Sequence, residues 1–203
     1  MAVTFFIVED HALMSTGIRQ FLEKDGEFAC AGGAETLIGA ECALRVLSEQ
    51  DALPDIVLLD LFLGEESSLP LLRASFGGKS LKFLVYSMFS SPGIVDRALS
   101  LGASGFVSKS APTAELVTAL KTVAAGGSYI QQSLGVGLYT WRDATASLTK
   151  KEKSVLNLLL ERKTVEEISA SLGLNRRTVE NYQSRIYSKT GISGREELLS
   201  QFG

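Results

Sequence analysis

The stretch Asp55-Ile56-Val57-Leu58-Leu59-Asp60 decides the fold that this sequence predicts. It is a short aliphatic run that follows Pro54 by one residue and ends in a carboxylate. Such a run, bounded by a breaker and without polar alternation, is typical of a parallel strand that is buried on both faces. Because open α/β sheets bind their ligands at the carboxyl ends of the strands, we expect Asp60 to stand at the functional edge of the sheet.

Similar apolar runs alternate with amphipathic segments on both sides of this strand. The other predicted strands lie near Thr4–Val8, Phe28–Ala31, Lys82–Tyr86 and Phe106–Lys109. The predicted helices are Ala12–Lys24, Thr36–Glu49, Leu69–Phe76, Ile94–Leu101 and Thr113–Ala125. This alternation predicts an α/β domain of the flavodoxin-like type, with a doubly wound five-stranded parallel sheet.

Three acidic residues follow two of these strands. Glu9 and Asp10 come directly after the first strand, and Asp60 ends the central one. Three carboxylates at neighbouring strand ends repel one another unless a cation lies among them, and such oxygen ligands suit Mg²⁺. The sequence therefore predicts a magnesium site at this edge.

Two further side chains reach the same edge. Lys109 ends the last predicted strand, and Ser87 follows the strand before it. An ammonium can neutralise a phosphoryl oxygen, and a hydroxyl can donate a hydrogen bond to it. Together with the acids, these residues predict a phosphoryl-binding pocket around Asp60.

Residues 3–125 resemble a response-regulator receiver domain. The resemblance rests on five matches in the family's order, each at a predicted strand end, and it implies that a histidine kinase phosphorylates one aspartate. The implied roles are Mg²⁺ binding by Glu9, Asp10, Asp60 and the backbone carbonyl of Phe62, phosphate acceptance by Asp60, phosphoryl binding by Ser87 and Lys109, and switching by Ser87 and Phe106.

The sequence departs from the receiver pattern beside the acceptor. Phe62 lies two residues beyond Asp60, and Phe89 lies two residues beyond Ser87. Two phenylalanine rings at these places would exclude the water that hydrolyses an acyl phosphate. We therefore hypothesise a long-lived phosphoryl state.

Composition is that of a globular protein with two unequally charged halves. The chain has 203 residues, of which 45% are hydrophobic, and no apolar run reaches the ~18 residues of a membrane span, so we expect a cytoplasmic protein. Up to Gly126 there are 9 Lys+Arg against 15 Asp+Glu, which gives −6; from Leu148 onward there are 10 against 7, which gives +3. The basic C-terminal half is therefore the part expected to meet a polyanion.

The second half of the chain has a helical pattern. Boxes of the S/T-x-x-E type, at Thr149, Thr164 and Ser193, mark three predicted helix starts. We expect a receiver domain over residues 1–125, a linker over 126–147 with a short helix near 131–138, and an all-α four-helix domain over 148–203.

Within this domain, residues 172–175 (Leu-Gly-Leu-Asn) form the short turn of a predicted helix-turn-helix, and the next helix, Arg176–Thr190, is the candidate recognition helix. At about 100° per residue, Val179 and Ile186 share one face with Tyr182, while the opposite face is polar. Side chains on that polar face can enter a DNA major groove.

Residues 148–202 resemble the DNA-binding domain of the LuxR/FixJ/NarL family, through Leu148–Glu152, Thr164–Ser169 and the signature Arg177–Tyr182. Glu180 stands where that family usually has lysine. The expected DNA contacts come from Arg177, Asn181 and Ser184 to bases, from Arg176, Arg185 and Lys189 to phosphates, and from Thr178 within the signature.

Together these features predict a two-domain response regulator that is not an enzyme beyond its own phosphorylation and slow dephosphorylation at Asp60. A sensor histidine kinase, promoter DNA and a second copy of the chain are the expected partners. Two alternatives remain open: a receiver that acts as an interaction module on a constitutive DNA binder, and an aspartyl-phosphate phosphatase. The phosphatase would need a second aspartate where Phe62 stands.

Overall fold

The computed structural model describes residues 2–202, with their side chains up to residue 199. The chain forms two compact units. Unit 1 takes in the chain up to Ser90 and Ala98–Gln131, and unit 2 takes in Ser91–Arg97 and the chain from Gln132 onward. The short segment Ser91–Arg97 thus groups with the C-terminal part, which a simple division of the chain at residue 125 does not anticipate.

A parallel sheet is the framework of unit 1, as predicted. Its strands are β1 (Val3–Val8), β2 (Phe28–Ala34), β3 (Ile56–Leu59), β8 (Phe83–Ser87), β9 (Gly105–Ser108) and β10 (Tyr129–Ile130). They lie side by side in the order β10-β9-β8-β3-β1-β2, and all the pairings are parallel. The doubly wound fold is confirmed, with β10 as a sixth strand that was not predicted.

Four α-helices and one 3₁₀-helix accompany this sheet. They are α1 (Ala12–Glu23), α2 (Leu37–Glu49), the 3₁₀-helix Leu69–Arg73, α3 (Pro92–Ser100) and α4 (Thr113–Ala124). Apolar residues of α1 and α4 pack on one face of the sheet, where Ile18 and Leu116 meet alternate residues of the strands such as Phe5 and Leu58. The intervening residues Phe6 and Val57 are also buried, so both faces of the central strands are covered.

The helix predicted over Leu69–Phe76 is wrong in its second half. The 3₁₀-helix ends at Arg73, and a two-stranded hairpin follows, formed by β6 (Ser75–Phe76) and β7 (Lys79–Ser80). Gly77 and Gly78 make its two-residue turn, with φ of +59° and +75°. Glycine adopts positive φ at no steric cost, and paired positive φ values match the twist of a tight hairpin, so this dipeptide favours the hairpin over a longer helix.

A second hairpin lies next to the acceptor aspartate. It consists of β4 (Phe62–Leu63) and β5 (Glu66–Ser67). The Ser68 hydroxyl, which is fully buried, donates a hydrogen bond of 2.5 Å to the backbone carbonyl of Asp60. The loop after β3 is therefore tied back to the end of that strand.

Unit 2 is helical: within the described residues it contains residues 92–97 of α3 and five further helices. They are α5 (Gln132–Thr145), α6 (Lys150–Leu160), α7 (Val165–Leu172), α8 (Arg176–Thr190) and α9 (Arg195–Phe202). Helix α5 is longer than the short linker helix predicted near 131–138. The buried core is formed chiefly by Trp141, Val155, Leu159, Ile168, Val179, Ile186 and Leu198.

Two of the three predicted capping boxes are present. Thr149 and Thr164 each accept from the backbone N–H three residues on, and the glutamate there accepts in return. The third box has another partner, because the Ser193 backbone N–H donates to Glu197 at 2.7 Å rather than to Glu196.

The turn between α7 and α8 has the predicted form. Gly173 ends α7 in the left-handed conformation, and Asn175 caps α8 by accepting the Thr178 N–H at 2.8 Å. Among the described residues, no helix combines the length and the apolar character needed to cross a membrane.

Candidate functional site

Backbone pairing brings the predicted pocket residues to one edge of the sheet. The Asp60 N–H donates to the Val8 carbonyl at 2.9 Å, so the end of β3 lies beside the end of β1. The Lys109 N–H donates to the Ser87 carbonyl, also at 2.9 Å, so the end of β9 lies beside the end of β8. Each side chain thus leaves its strand at the same level, as the parallel order requires.

Lys109 is the centre of the pocket. Its Nζ lies 2.5 Å from Asp60 Oδ2 and 2.6 Å from Glu9 Oε2. The side chains of Lys109, Glu9 and Asp60 are only 5%, 3% and 10% exposed. Each of the three charged groups therefore has a buried partner of opposite sign, although one ammonium between two carboxylates leaves the trio with a net charge of −1.

Two opposing effects act on the pKa of Lys109. Burial disfavours the charged ammonium and would lower the pKa, but hydrogen bonds and attraction to Asp60 and Glu9 outweigh burial and raise it. Lys109 therefore stays charged throughout the physiological range.

Ser87 occupies the other oxygen of the acceptor. Its hydroxyl is fully buried and donates to Asp60 Oδ1 at 2.7 Å. Asp60 thus makes one hydrogen bond through each carboxylate oxygen, to Ser87 and to Lys109. The predicted switch residue Phe106 lies in β9 and is fully buried.

Asp10 turns to a different set of partners. Its Oδ2 accepts the Gly64 N–H at 2.8 Å, and its Oδ1 lies 2.9 Å from Nδ1 of His11. Desolvation raises the pKa of Asp10, but the hydrogen bonds from Gly64 and His11 and the attraction to His11 prevail and lower it. Asp10 is therefore an anion at neutral pH.

The donor atoms near Asp10 fit a cation. One ligand atom each from Glu9, Asp10 and His11 lie within 4.8 Å of one another. The carboxylates are hard oxygen donors of the kind that Mg²⁺ prefers. His11 was not among the predicted ligands; it is the N-cap residue of α1, and its side chain is 75% exposed. The Mg²⁺ ligands remain predictions, including the Phe62 carbonyl.

Phe62 and Phe89 form an aromatic pair beside the acceptor. Their ring centroids are 4.7 Å apart with an interplanar angle of 63°, an edge-to-face arrangement. Sequence spacing suggested that each ring flanks the pocket, and the structure adds that the two rings touch.

In unit 2, α8 has the two faces that its periodicity predicted. Val179 and Ile186 are fully buried. The predicted DNA-contacting residues Arg177, Asn181, Ser184 and Arg185 are all exposed. Thr178 is half-buried, and both its N–H and its hydroxyl donate to Asn175, so it takes part in the helix cap.

Two predicted phosphate-binding cations already have protein partners. Arg176 lies 2.8 Å from Glu166 and 2.9 Å from Glu180, both as exposed ion pairs. Lys189 Nζ lies 2.7 Å from Glu152, whose side chain is 3% exposed. The ion pair between Arg176 and Glu180 explains how the recognition helix can carry an acidic residue, because a positive charge four residues away offsets the charge of Glu180.

Comparison with known families assigns both units. Residues 5–121 match the family described as response regulator receiver domain, and residues 146–201 match bacterial regulatory proteins of the luxR family. The receiver match alone covers more than half of the chain. The chain belongs to the response regulators, with a receiver domain and a LuxR-type DNA-binding domain of the NarL/FixJ kind.

Individual relatives align over nearly the whole chain. The transcriptional regulatory protein UhpA of Salmonella typhimurium is 32% identical and aligns over 97% of this chain and 95% of its own length. The DNA-binding transcriptional activator DevR/DosR of Mycobacterium tuberculosis is 30% identical, over 96% of this chain and 91% of its own. These relatives are regulators of transcription.

A solved structure shares the fold. RcsB of Salmonella enterica serovar Typhimurium, bound to promoter rprA in the presence of the phosphomimetic BeF₃⁻, superposes with a TM-score of 0.64. It is 22% identical and covers 98% of this chain and 97% of its own. At this identity the likeness concerns the fold.

Proposed function

We propose that this protein is a phosphorylation-controlled transcription regulator in which Asp60 accepts a phosphoryl group from a sensor histidine kinase. The observation that carries this proposal is the Lys109 ammonium, which is held 2.5 Å from Asp60 in a pocket that also contains Ser87 and Glu9. A structural salt bridge would need only the Lys109 ammonium on one oxygen of Asp60, whereas the Ser87 hydroxyl donates to the other oxygen as well. A phosphoryl group needs these donors.

In the proposed reaction, a carboxylate oxygen of Asp60 attacks the phosphorus. A bond forms between that oxygen and phosphorus, and the bond from phosphorus to the kinase histidine breaks. Lys109 and Ser87, which now donate to Asp60, then donate to phosphoryl oxygens and neutralise their charge. Glu9, Asp10, Asp60 and the Phe62 carbonyl would hold Mg²⁺, which supplies charge neutralisation for the transferring group.

Control of DNA binding follows from the change in the pocket. If the Ser87 hydroxyl moves to a phosphoryl oxygen, the space near Phe106 changes, and this biases a two-state receiver. We propose that the altered receiver favours a dimer, whose two α8 helices read half-sites about one helical turn apart. Arg177, Asn181 and Ser184 are the proposed base contacts.

The other proposed DNA contacts differ in whether the side chain is already in an ion pair within the protein. Arg185 is exposed and can grip a phosphate directly, while Arg176 and Lys189 would first exchange the carboxylates that they now bind. The solved structure of RcsB bound to promoter rprA in the presence of BeF₃⁻ supports the proposal of DNA binding, since RcsB has the same fold.

The decisive experiment compares the wild type with Asp60→Asn. DNA binding and molecular mass are measured with and without Mg²⁺ and a small phosphodonor, and Asp25→Asn, a change of an exposed aspartate in a turn, is the control. We expect the phosphodonor to tighten DNA binding and raise the mass of the wild type and of the control, but not of Asp60→Asn.

Identical behaviour of all three proteins would favour the alternative of a constitutive DNA binder with the receiver as an interaction module. The phosphatase alternative gains no support, because Phe62 offers no second carboxylate and the relatives are transcription regulators.

A further inference from the structure

Gln131 is a buried polar residue that the proposed chemistry leaves without a role. It is only 8% exposed and lies outside the pocket, at the end of the unpredicted strand β10. Its side-chain Oε1 accepts the backbone N–H of Ser108 at 2.8 Å, in a buried hydrogen bond. The burial of the long polar side chain of Gln131, to accept one backbone N–H, needs an explanation.

The reason lies in how β10 ends. The Gln131 backbone N–H donates to the Phe106 carbonyl at 3.0 Å, so a continued parallel ladder would bring the Gln131 carbonyl to the Ser108 N–H. The next residue, Gln132, begins α5. A carbonyl just before a helix turns into that helix to accept its first hydrogen bond, so it cannot serve the ladder. The Gln131 side chain takes its place.

This hydrogen bond fixes the last residue of the strand that bears the pocket lysine. Ser108 ends β9 and pairs with Ser87 of β8, and Lys109 follows immediately. On the β8 side, the Lys109 N–H is held by the Ser87 carbonyl. On the opposite side, the Ser108 N–H is held by Gln131. The backbone from which the Lys109 side chain departs is thus clamped from both sides.

We propose that Gln131 is a positioning residue for the phosphoryl-transfer site. By holding the end of β9, its amide oxygen fixes the place of the Lys109 ammonium relative to Asp60. The inference rests on the proposed phosphorylation of Asp60. Small displacements of a charged group aimed at the transferring phosphoryl group reduce the rate, because electrostatic stabilisation depends on preorganised geometry.

The test uses the full-length protein and three variants. Gln131→Ala removes the acceptor but lets a water reach the Ser108 N–H, so that the fold is preserved. Gln131→Glu keeps an acceptor oxygen at the same distance along the side chain. Gln132→Ala is the matched control, because Gln132 is the exposed neighbour in the chain. The rate of phosphorylation by a small phosphodonor with Mg²⁺ is measured as a function of donor concentration. Tm is measured for each protein.

We expect Gln131→Ala to lower the maximum phosphorylation rate about tenfold at an unchanged half-saturating donor concentration, a loss equal to about 1.4 kcal/mol of barrier. Gln131→Glu should restore most of the rate, and Gln132→Ala should match the wild type. The Ser108 amide proton should also exchange faster with solvent in Gln131→Ala alone.

Three results would overturn the inference. A wild-type rate in Gln131→Ala, whatever its Tm, would show that Gln131 only supports the fold. A loss that Gln131→Glu does not restore would remove the acceptor oxygen as the cause. A wild-type protein that takes up no phosphoryl group would refute the proposed function itself, and would be recognised because all four proteins would be equally inert.

Discussion

Replacing Lys109 by methionine should destabilise the receiver strongly, because it removes the one cation that lies between two buried carboxylates. Glu9 and Asp60 are 3% and 10% exposed in their side chains, and each binds the same Nζ. Methionine has nearly the same length and volume as lysine without the charge. The substitution therefore leaves packing nearly unchanged and isolates the electrostatic effect.

The structure sets the size of the effect. Removing one partner of a buried ion pair typically costs about 3–5 kcal/mol, since the other charge stays buried without compensation. The receiver domain is intermediate in size between domains of about 60–100 and of about 150–250 residues, so each kcal/mol should lower its Tm by about 3–5 °C. A loss of about 3–5 kcal/mol then predicts a fall on the order of 9–25 °C. The matched control is Lys121→Met, which breaks an ion pair with Glu27 of similar length, 2.8 Å, but with both side chains half exposed. That change should cost about 0–1 kcal/mol.

Thermal unfolding of the full-length wild type, Lys109→Met and Lys121→Met, with and without Mg²⁺, measures the Tm loss that each substitution causes. A divalent cation near Glu9 and Asp60 should restore part of the Tm of Lys109→Met and change the wild type less. Partner contacts raise the pKa of Lys109 above its value in the unfolded chain. The wild type should therefore keep this stabilisation up to about pH 10.4 and lose it as pH rises further. Equal Tm losses in Lys109→Met and Lys121→Met would refute the reasoning.

Three further predictions concern the aromatic pair, an acid-sensitive cap and the recognition helix. Phe62→Ala opens one side of the pair with Phe89 and should speed loss of the phosphoryl group on the order of tenfold, measured as acyl-phosphate decay; an unchanged lifetime would show that the rings exclude no water. Hydrogen bonding to Lys189 and Thr149 lowers the pKa of Glu152 to about 2. The stability from this group is therefore present above about pH 4.3 and lost as pH falls towards 2, so denaturant unfolding should show this loss in the wild type and not in Glu152→Gln. Asn181→Ala should weaken binding to the cognate site by about 1–3 kcal/mol in titrations, and equal weakening on unrelated DNA would contradict base reading.

The sheet and its functional edge were predictable because they depend on patterns that read directly from the sequence. Continuous aliphatic runs define buried parallel strands, and a charged residue directly after such a run must appear at the strand end. Asp60 and Lys109 were therefore placed correctly at one edge without any contact information. What the sequence did not provide was which carboxylate the lysine binds, since Glu9 and Asp10 are neighbours and only one of them turns towards Nζ.

The secondary-structure predictions failed where local sequence signals favour different structures or are too short to recognise. Leu69–Phe76 has helical character, but Gly77 and Gly78 favour a hairpin turn, and the hairpin prevails. The strand Tyr129–Ile130 is only two residues long, so its pattern carries too little periodicity to be recognised. The role of Gln131 depends wholly on that strand and was therefore missed.

The pocket predicts that Mg²⁺ affects the proposed phosphorylation more than it affects folding. Glu9, Asp10 and Asp60 repel one another, and the protein's own groups offset part of this repulsion, because Lys109 pairs with two of these acids and Asp10 binds Gly64 and His11. The acyl phosphate at Asp60 carries a charge of about −2 where the free carboxylate carries −1, and one ammonium cannot neutralise that charge together with the remaining acids. Mg²⁺ should therefore change the phosphorylation rate of the wild type far more than its Tm.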